Sequence, residues 1–303
     1  MPSKQVIDAA GREGAGSHTY GLVEALPPPF LLLLSILSAQ LGAASAKFLL
    51  VSSSPATIVL VRTGFAAIVL WLMVRPQVRQ YTKQQWIHAL LLGVVTAAMN
   101  VSFYGAIARL PLGIVITVAF LGPFTVSLLA SRGAREFVWP ILALAGVVLL
   151  SPFGAQKQLS VTGMTYALGA AAGWASYLLL TARTSAMFSG TTGLALAMTF
   201  GALGMLPFGL ASGGKALLSA SFLAKGFAVS ILSTLIPFSL EFLVLKRMSP
   251  RTFGILVSAE PAVAALIGMI VLHEYLGVRE WMALVLVSVA ALGVTYQSSG
   301  PRR

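Results

Sequence analysis

One carboxylate of this sequence lies inside an apolar segment, with a proline directly after it. Glu260 and Pro261 stand in the run Ile255-Leu-Val-Ser-Ala-Glu-Pro-Ala-Val-Ala-Ala-Leu. A carboxylate at the centre of a membrane span costs about 3 kcal/mol on insertion scales, and such residues usually line a polar path. Because proline has no N–H, the carbonyl of Val257 loses its partner within the helix. Charge and freed backbone at one depth indicate a polar site inside a membrane protein.

Other polar and aromatic side chains also lie deep in apolar segments, where they need partners or water. Gln40 is near the middle of one segment. Asn100 and Tyr104 are four residues apart, so they share a helix face. Trp174 and Tyr177 are three apart and share a face for the same reason. These residues are candidates to line a ligand cavity with the carboxylate, although hydrogen bonds between helices and ordinary packing would also explain them.

Two cations lie inside apolar segments as well. Lys47 is about 6 Å from the end of its segment, so snorkelling to the membrane surface explains it. Arg62 lies about 10 Å deep and cannot shed its proton. It therefore needs a carboxylate, backbone carbonyls or water around it.

A second proline and a second carboxylate occur together in a later segment. Pro237 is predicted to kink its helix, and the hydroxyls of Ser233 and Thr234 are close enough in sequence to satisfy freed backbone groups. Glu241 lies shortly before a pair of basic residues, Lys246-Arg247. The sequence predicts that it pairs with these cations.

The composition decides the class of protein that holds these residues. Of 303 residues, 57% are hydrophobic and 9% are charged, with a mean hydropathy of +0.90. Soluble domains average about 45–50% apolar residues, whereas a membrane helix needs about 20 consecutive ones. A β-barrel would show short alternating strands instead. We therefore predict an all-α integral membrane protein in the lipid bilayer, with ten spans at 29–50, 55–75, 86–108, 112–131, 137–152, 162–183, 192–211, 222–245, 252–272 and 280–297.

The net charge of +12 follows the predicted topology. Ten spans place both termini on one side, and that side holds thirteen of the 20 Lys and Arg residues, against five in the opposite loops. The positive-inside rule then makes both termini cytoplasmic. Because topology accounts for the basic residues, we predict no nucleic-acid partner.

Enzyme motifs are missing from the sequence. It has no cysteine, which excludes disulfides, thiolate metal sites and cysteine catalysis. His273-Glu274 lacks the second histidine of a zinc-binding His-Glu-x-x-His motif and is expected at the surface. We find no phosphate loop, nucleotide fingerprint or nucleophile elbow in a supporting context. The sequence therefore predicts no enzyme, no cofactor and no metal, although a site assembled from distant helices is left open.

Two stretches of the chain repeat. Gly42-Ala-Ala-Ser45 resembles Gly173-Trp-Ala-Ser176, and the stretch from Arg109 to Gly122-Pro123 aligns with that from Arg247 to Glu260-Pro261. Five spans per repeat is an odd number, so the second copy must be inverted. Inverted repeats usually place the substrate site near the midplane, between the halves. Composition alone could also give such matches, because membrane helices are rich in Gly, Ala and Pro.

The predicted organisation follows from this repetition. Residues 1–28 form a cytoplasmic tail, 29–152 the first five-helix repeat and 162–297 the second, inverted one. Pro123 and Pro261 become kinks related by a pseudo-twofold axis. With Pro237 they are the candidate gating positions, where the halves could rock against each other.

The chain resembles the drug/metabolite transporter superfamily of EamA-type carriers, and within it the bacterial threonine/homoserine exporters, over roughly 30–297. The residues that carry the resemblance are Ala43-Ala-Ser-Ala-Lys47, Arg62, Met99-Asn100, Phe103-Tyr104, Pro111-Leu-Gly-Ile114, Gly122-Pro123, Trp174, Tyr177, Ile231 to Glu241, Pro250 to Gly254 and Glu260-Pro261. The chain departs from the exporter pattern Glu-Phe-Thr-Gly-Pro, since it reads Ala119-Phe-Leu-Gly-Pro123. The carboxylate of the first repeat is missing, so Glu260 would act without its symmetry mate.

The resemblance implies a multi-pass protein of the bacterial inner membrane that exports small amino acids such as threonine and homoserine. Gln40, Asn100, Tyr104, Trp174, Tyr177 and Glu260 are the expected substrate-binding residues. Glu260 is also the expected coupling group, because a carboxylate buried at that depth could exchange a proton near neutral pH. The expected partners are an amino acid and a proton, and the chain is expected as a monomer or homodimer. A uniporter, an exporter of aromatic amino acids, other metabolites or drugs, and a scaffold without cargo remain as alternatives.

Overall fold

In the computed structural model the described residues are 26–129, 138–149, 160–188, 191–247, 257 and 259–297, and they contain helices and loops but no strand. The helices are α1 (Pro28–Leu49), α2 (Pro55–Val74), α3 (Lys83–Ile107), α4 (Leu112–Ala119), α5 (Leu121–Leu129), α6 (Val138–Leu149), α7 (Val161–Met187), α8 (Thr192–Gly213), α9 (Ala220–Ser230), α10 (Ile236–Arg247), α11 (Glu260–Leu272) and α12 (Val278–Gln297). A π-helical turn, Ile231–Leu235, joins α9 to α10. The predicted tail 1–28 lies almost wholly outside the described residues.

Five stretches of helix are long and apolar enough to cross a membrane among the described residues. They are Pro28–Leu49, Pro55–Val74, Lys83–Ile107, Thr192–Leu218 and Ala220–Glu241. Two shorter apolar stretches, Leu112–Val126 and Glu260–Leu272, add to these. The structure is thus an all-helical bundle with the lengths and composition of a multi-pass membrane protein.

Helix starts follow local sequence signals. Ser54 accepts a hydrogen bond from the N–H of Thr57, and Pro55 takes the first helical position of α2. Thr82 and Gln85 form a capping box at the start of α3. These signals fix where the helices enter the bundle, and so fix the depth of the polar residues along them.

The predicted fourth span is interrupted within the bundle. Helix α4 ends at Ala119 and α5 begins at Leu121, with Phe120 between them. Pro123 cannot donate to the carbonyl of Ala119, which explains a break one turn before the proline. The predicted ninth span is described at 257 and from 259 onward, and there α11 begins at Glu260, with Pro261 in its first turn.

The bundle is held together by contacts between helices that are mostly remote in sequence. Helix α3 packs along α7, and α10 packs along α1. Helix α8 packs against α2 and α3, while α9 packs against α2. Helices α6 and α12 form a pair, as do α4 and α11, and α11 also contacts α1.

Glycine allows close approach between packed elements, as two positions on α1 and α7 show. A Cβ on Gly42 of α1 would lie 2.6 Å from the Cβ of Ser233 in the π-helical turn. A Cβ on Gly173 of α7 would lie 2.7 Å from the Cβ of Met99 in α3. Small residues at helix interfaces permit such backbone proximity in membranes.

An ion pair that sequence reasoning missed joins α1 to the loop after α11. The ammonium of Lys47 pairs with the Glu274 carboxylate and donates to the carbonyl of Leu110 at 3.1 Å. The second oxygen of Glu274 accepts from the N–H of Leu112 at 2.8 Å. Snorkelling of Lys47 to the membrane surface and a surface position for Glu274 were therefore wrong, because the two side chains pair with each other across 227 residues of sequence. His273, predicted at the surface with Glu274, is exposed. This Lys47–Glu274 pair connects α1 to the start of α4 and to the loop that follows α11.

Removing either member of this pair should destabilise the protein. We expect Lys47→Met and Glu274→Gln each to lower the unfolding temperature in detergent, by the equivalent of about 1–3 kcal/mol, because each leaves a partly buried partner without its counter-charge. The double variant should fall little below the worse single variant, since the interaction can be lost only once.

Lys225→Met, at an exposed position of α9, serves as the control for loss of a cation and should change little. Strictly additive effects of Lys47→Met and Glu274→Gln would show that the two side chains act independently.

Candidate functional site

A single cavity of about 120 Å³ brings together all six residues predicted to bind substrate. Helices α1, α2, α3, α4, α7, α10 and α11 and the π-helical turn supply its walls. The predicted residues that line it are Gln40, Asn100, Tyr104, Trp174, Tyr177 and Glu260. These six residues come from four helices, α1, α3, α7 and α11, which were predicted as separate spans. Tertiary packing therefore produces the cluster. Arg62, Pro237 and Glu241 also line it.

Arg62 lies at the centre of a hydrogen-bonded cluster. Its guanidinium donates to Asn100 Oδ1 at 2.6 Å and to Tyr104 Oη at 2.9 Å, both on α3. It also donates to the hydroxyl of Thr234 and, at 2.8 Å, to the carbonyl of Ser233. The side chain is buried, with 5% of the residue exposed. Asn100 and Tyr104 therefore both join helices and line the cavity.

Pro237 explains why a carbonyl is available to Arg62. A residue at position 237 would normally donate its N–H to the carbonyl of Ser233, and proline has none. The N–H of Ile236 bonds instead to the carbonyl of Ile231, five residues back, which also frees Leu232. Ser38 of α1 donates to the Leu232 carbonyl at 2.7 Å. Neighbouring helices thus satisfy the backbone that the π-helical turn opens, as membrane helices require.

The hydroxyls of Ser233 and Thr234, which were predicted to satisfy the freed backbone groups, make other hydrogen bonds. Ser233 Oγ donates to the carbonyl of Val229 at 2.6 Å, within its own helix. Thr234 accepts from Arg62. The freed carbonyls are satisfied by Ser38 and Arg62, which come from helices remote in sequence.

Glu260 projects from the first turn of α11 to a partner on α1. Its Oε1 accepts a hydrogen bond from Gln40 Nε2 at 2.9 Å, and 9% of the residue is exposed. Gln40 is 2% exposed, and its Oε1 atom has no hydrogen-bond partner among the described residues. An unsatisfied buried acceptor is costly, so this amide oxygen is available to a donor that enters the cavity.

Glu241 lies elsewhere than predicted. It lines the cavity, and its Oε1 is 3.5 Å from the Ser35 hydroxyl of α1, which also donates to the carbonyl of Pro237 at 3.2 Å. The predicted pairing with Lys246 and Arg247 rests on side chains outside the described ones. The spacing of four residues from Pro237 was the signal in the sequence, because it places the carboxylate on the proline's face.

Aromatic rings form one side of the cavity. The rings of Tyr177 and Phe238 stack with centroids 5.6 Å apart at 27°. Trp174 packs edge-on against Phe120, at 5.9 Å, so the residue at the α4–α5 break supports the wall. Trp174 and Tyr177 share the cavity face that their spacing predicts.

The three candidate gating prolines have different surroundings. Pro237 lines the cavity and follows the π-helical turn directly. Pro261 is next to Glu260 and buried, and Pro123 lies in the first turn of α5, away from the cavity lining. Ala119 lines the cavity, so the position where the exporter pattern has a carboxylate does face it.

The charges in the cavity are one guanidinium and two carboxylates. Arg62, Glu241 and Glu260 form no direct ion pair with one another among the described residues. A buried charge without a counter-charge is unfavourable even when its hydrogen bonds are made. Such a cavity suits a ligand that carries both signs of charge.

Comparison with known proteins finds similarity to a transporter family, to amino-acid exporters and to a solved structure. The profile of the EamA-like transporter family matches residues 161–296. The threonine/homoserine exporter RhtA of Escherichia coli (strain K12) is 38% identical over 269 residues, which is 88% of this chain and 91% of that protein. The RhtA protein of Salmonella typhimurium (strain LT2) is 36% identical over the same lengths. A crystal structure of a protein 18% identical has a TM-score of 0.58 and matches over 88% of this chain and 97% of that one, which shows a shared fold.

Proposed function

Because this chain belongs to the EamA-like transporter family, we propose that it exports small amino acids such as threonine and homoserine from the cytoplasm of a bacterium. The observation that carries the proposal is the cavity in which six separately predicted residues meet. Its relatives of known activity are named as exporters of these two amino acids, and they match it over most of their length. A transporter, rather than an enzyme, is what the family implies.

The proposed architecture is ten spans in the inner membrane, with both termini cytoplasmic and two inverted repeats at 29–152 and 162–297. The helix contacts support it. Exchanging each predicted span with the one five places later turns the α3–α7 contact into the α10–α1 contact, and the α8–α3 contact into that of α2 with α9. The contacts α2–α8, α4–α11 and α6–α12 map onto themselves. Such a pattern is expected of a pseudo-twofold axis in the membrane plane.

Paired glycines support the same relationship. Gly42 and Gly173 occupy matching positions of the repeat, and each contacts the other half of the protein. Gly42 meets Ser233, and Gly173 meets Met99. The site near the midplane would then lie where the two halves meet, as in other transporters of this kind.

The proposed mechanism is alternating access with proton coupling at Glu260. The Lys47–Glu274 pair would close one side of the cavity, so rearrangement there must accompany release of cargo. Pro123, Pro237 and Pro261 are the proposed flexible points. Glu260 would lose a proton and gain one in different orientations, while its hydrogen bond from Gln40 holds the carboxylate in place.

The size of the cavity bears on the cargo. A volume of about 120 Å³ is small beside the 300–1,000 Å³ typical of drug-sized ligand pockets. It favours small amino acids over drugs. The stacked Tyr177 and Phe238 rings favour a second candidate, export of aromatic amino acids, if the cavity widens in another conformation.

Transport by purified protein in proteoliposomes tests the proposal. Vesicles loaded with radiolabelled threonine should lose it faster than protein-free vesicles, and an imposed pH gradient should drive efflux against a threonine gradient. Efflux that ignores the pH gradient would favour a uniporter. Failure to move any member of a broad amino-acid panel would overturn the proposal.

A further inference from the structure

We infer, resting on the proposed function, that the cavity binds an α-amino acid in one orientation, with its carboxylate on Arg62 and Tyr104 and its ammonium on Gln40 and Glu260. The cavity lining holds two sets of groups that differ in chemistry. The donor set, on α2 and α3, offers hydrogen-bond donors with a positive charge, and the acceptor set, on α1 and α11, offers acceptors with a negative charge. Arg62 thereby becomes a cargo-binding residue, beyond its place in the helix contacts.

The donor set has hydrogen-bonding capacity left after its protein contacts are counted. A guanidinium has five N–H groups, and the described contacts of Arg62 use four. Tyr104 accepts from Arg62 through its oxygen, and its own O–H has no described acceptor, although the residue is fully buried. One N–H and one O–H are therefore available to a carboxylate.

The charge of Arg62 gives the stronger reason for an anion there. All four of its described partners are neutral: an amide, a phenol, a hydroxyl and a backbone carbonyl. They satisfy its donors and leave its charge uncompensated by any direct ion pair. A carboxylate bound at that point would form a charge-assisted hydrogen bond, which is about twice as strong as a neutral one.

The acceptor set also has an atom without a hydrogen-bond partner. Gln40 Oε1 is buried without a partner, while its Nε2 donates to Glu260. That hydrogen bond fixes which way the amide points, since a flipped amide would put its oxygen against the carboxylate. An ammonium has three N–H donors, which could reach Gln40 Oε1 and Glu260 together.

Glu241 makes the polarity of the cavity more pronounced. It adds a second carboxylate on α10, with only the Ser35 hydroxyl as a described partner. The negative charge of the cavity is thus carried by α10 and α11, and the positive charge by α2. A cargo with both charges matches this separation, whereas an amine or a carboxylic acid matches half of it.

The alternative is that Arg62 only holds helices together. It does join α2 to α3 and to the π-helical turn, so losing it would harm the fold under either interpretation. The two interpretations differ in one measurable respect. A structural role affects every cargo alike, whereas carboxylate binding affects only ligands that have a carboxylate.

Competition with modified amino acids tests the orientation in the unmodified protein. Unlabelled threonine, threoninamide and N-acetylthreonine would compete with labelled threonine in proteoliposomes. We expect each modified ligand to compete at least about tenfold more weakly than threonine, because each lacks one charged hydrogen bond. Threoninamide that competes as well as threonine would overturn the inference. If threonine itself is not transported, the proposed function has failed instead.

Two variants then assign the carboxylate to its residues. Tyr104→Phe removes one O–H and keeps the ring, and Arg62→Lys keeps the charge. Each should lower the affinity for threonine several-fold more than that for threoninamide, so the ratio between the two ligands shrinks. Lys225→Gln, which removes an exposed cation, should leave the ratio as it is. An unchanged ratio in both cavity variants, with both affinities lowered, would assign Arg62 and Tyr104 to the fold alone.

Discussion

Replacing Glu260 with glutamine should reduce efflux driven by a pH gradient to the level of protein-free vesicles. Glutamine has nearly the same shape and can still accept from Gln40, but it cannot carry a proton. Exchange of labelled for unlabelled threonine needs no net proton movement, so it should persist at a measurable rate. The pH dependence of that exchange should flatten. Efflux and exchange would be measured on the same reconstituted protein.

The matched control is Glu280→Gln, which removes a carboxylate from the first turn of α12, outside the cavity lining. It should leave gradient-driven efflux intact. If Glu260→Gln transports at an unchanged rate with an unchanged pH profile, Glu260 is not the coupling group. Glu241, the other carboxylate of the cavity, would then be the group to replace.

A single methyl group on Gly42 should reduce transport about 100-fold. In Gly42→Ala the new Cβ would lie 2.6 Å from the Cβ of Ser233 and 2.7 Å from its backbone nitrogen, well inside the 3.5–4.0 Å of favourable carbon contacts. Helix α1 must therefore move by about 1 Å away from the π-helical turn. Both elements carry groups of the cavity, and a displacement of 1 Å can cost about 100-fold in rate.

Gly64→Ala is the matched control on α2, because a Cβ there meets nothing within 4 Å. It adds the same methyl group to a membrane helix and should leave transport unchanged. Wild-type transport by Gly42→Ala would mean that the two elements separate without disturbing the cavity. Retention times on a sizing column would show whether both variants are folded.

The sequence was sufficient to predict the family and the all-helical membrane class, and it indicated six of the residues that line the cavity. Apolar segments of about 20 residues are a strong signal, since the bilayer sets their length. Glu260, Gln40 and Asn100 could be chosen because a polar side chain deep in such a segment needs a reason. In the structure these residues line one cavity. Their roles in transport stay predictions.

Ion-pair and hydrogen-bond partners that are remote in sequence could not be predicted from the sequence alone. Lys47 and Glu274 are 227 residues apart, and nothing local indicates that either has a counter-ion. Glu241 was matched to nearby basic residues because a single sequence shows only neighbours along the chain. The break at Phe120 was expected at Pro123, since a proline marks the missing donor, whereas the backbone bends near the carbonyl that lost it.

The π-helical turn has a consequence for the angular position of α10. An α-helix advances by about 100° per residue, so one extra residue in a turn rotates everything beyond it by that angle. Without the extra residue, the face of α10 that bears Phe238 and Glu241 would rotate away from α7 by roughly a quarter of a revolution. The wide turn therefore sets the angular position of α10 relative to α7. If it relaxed to α-helical geometry, Glu241 would turn about the axis of its own helix and shift along that axis by about 1.5 Å, the rise of one residue.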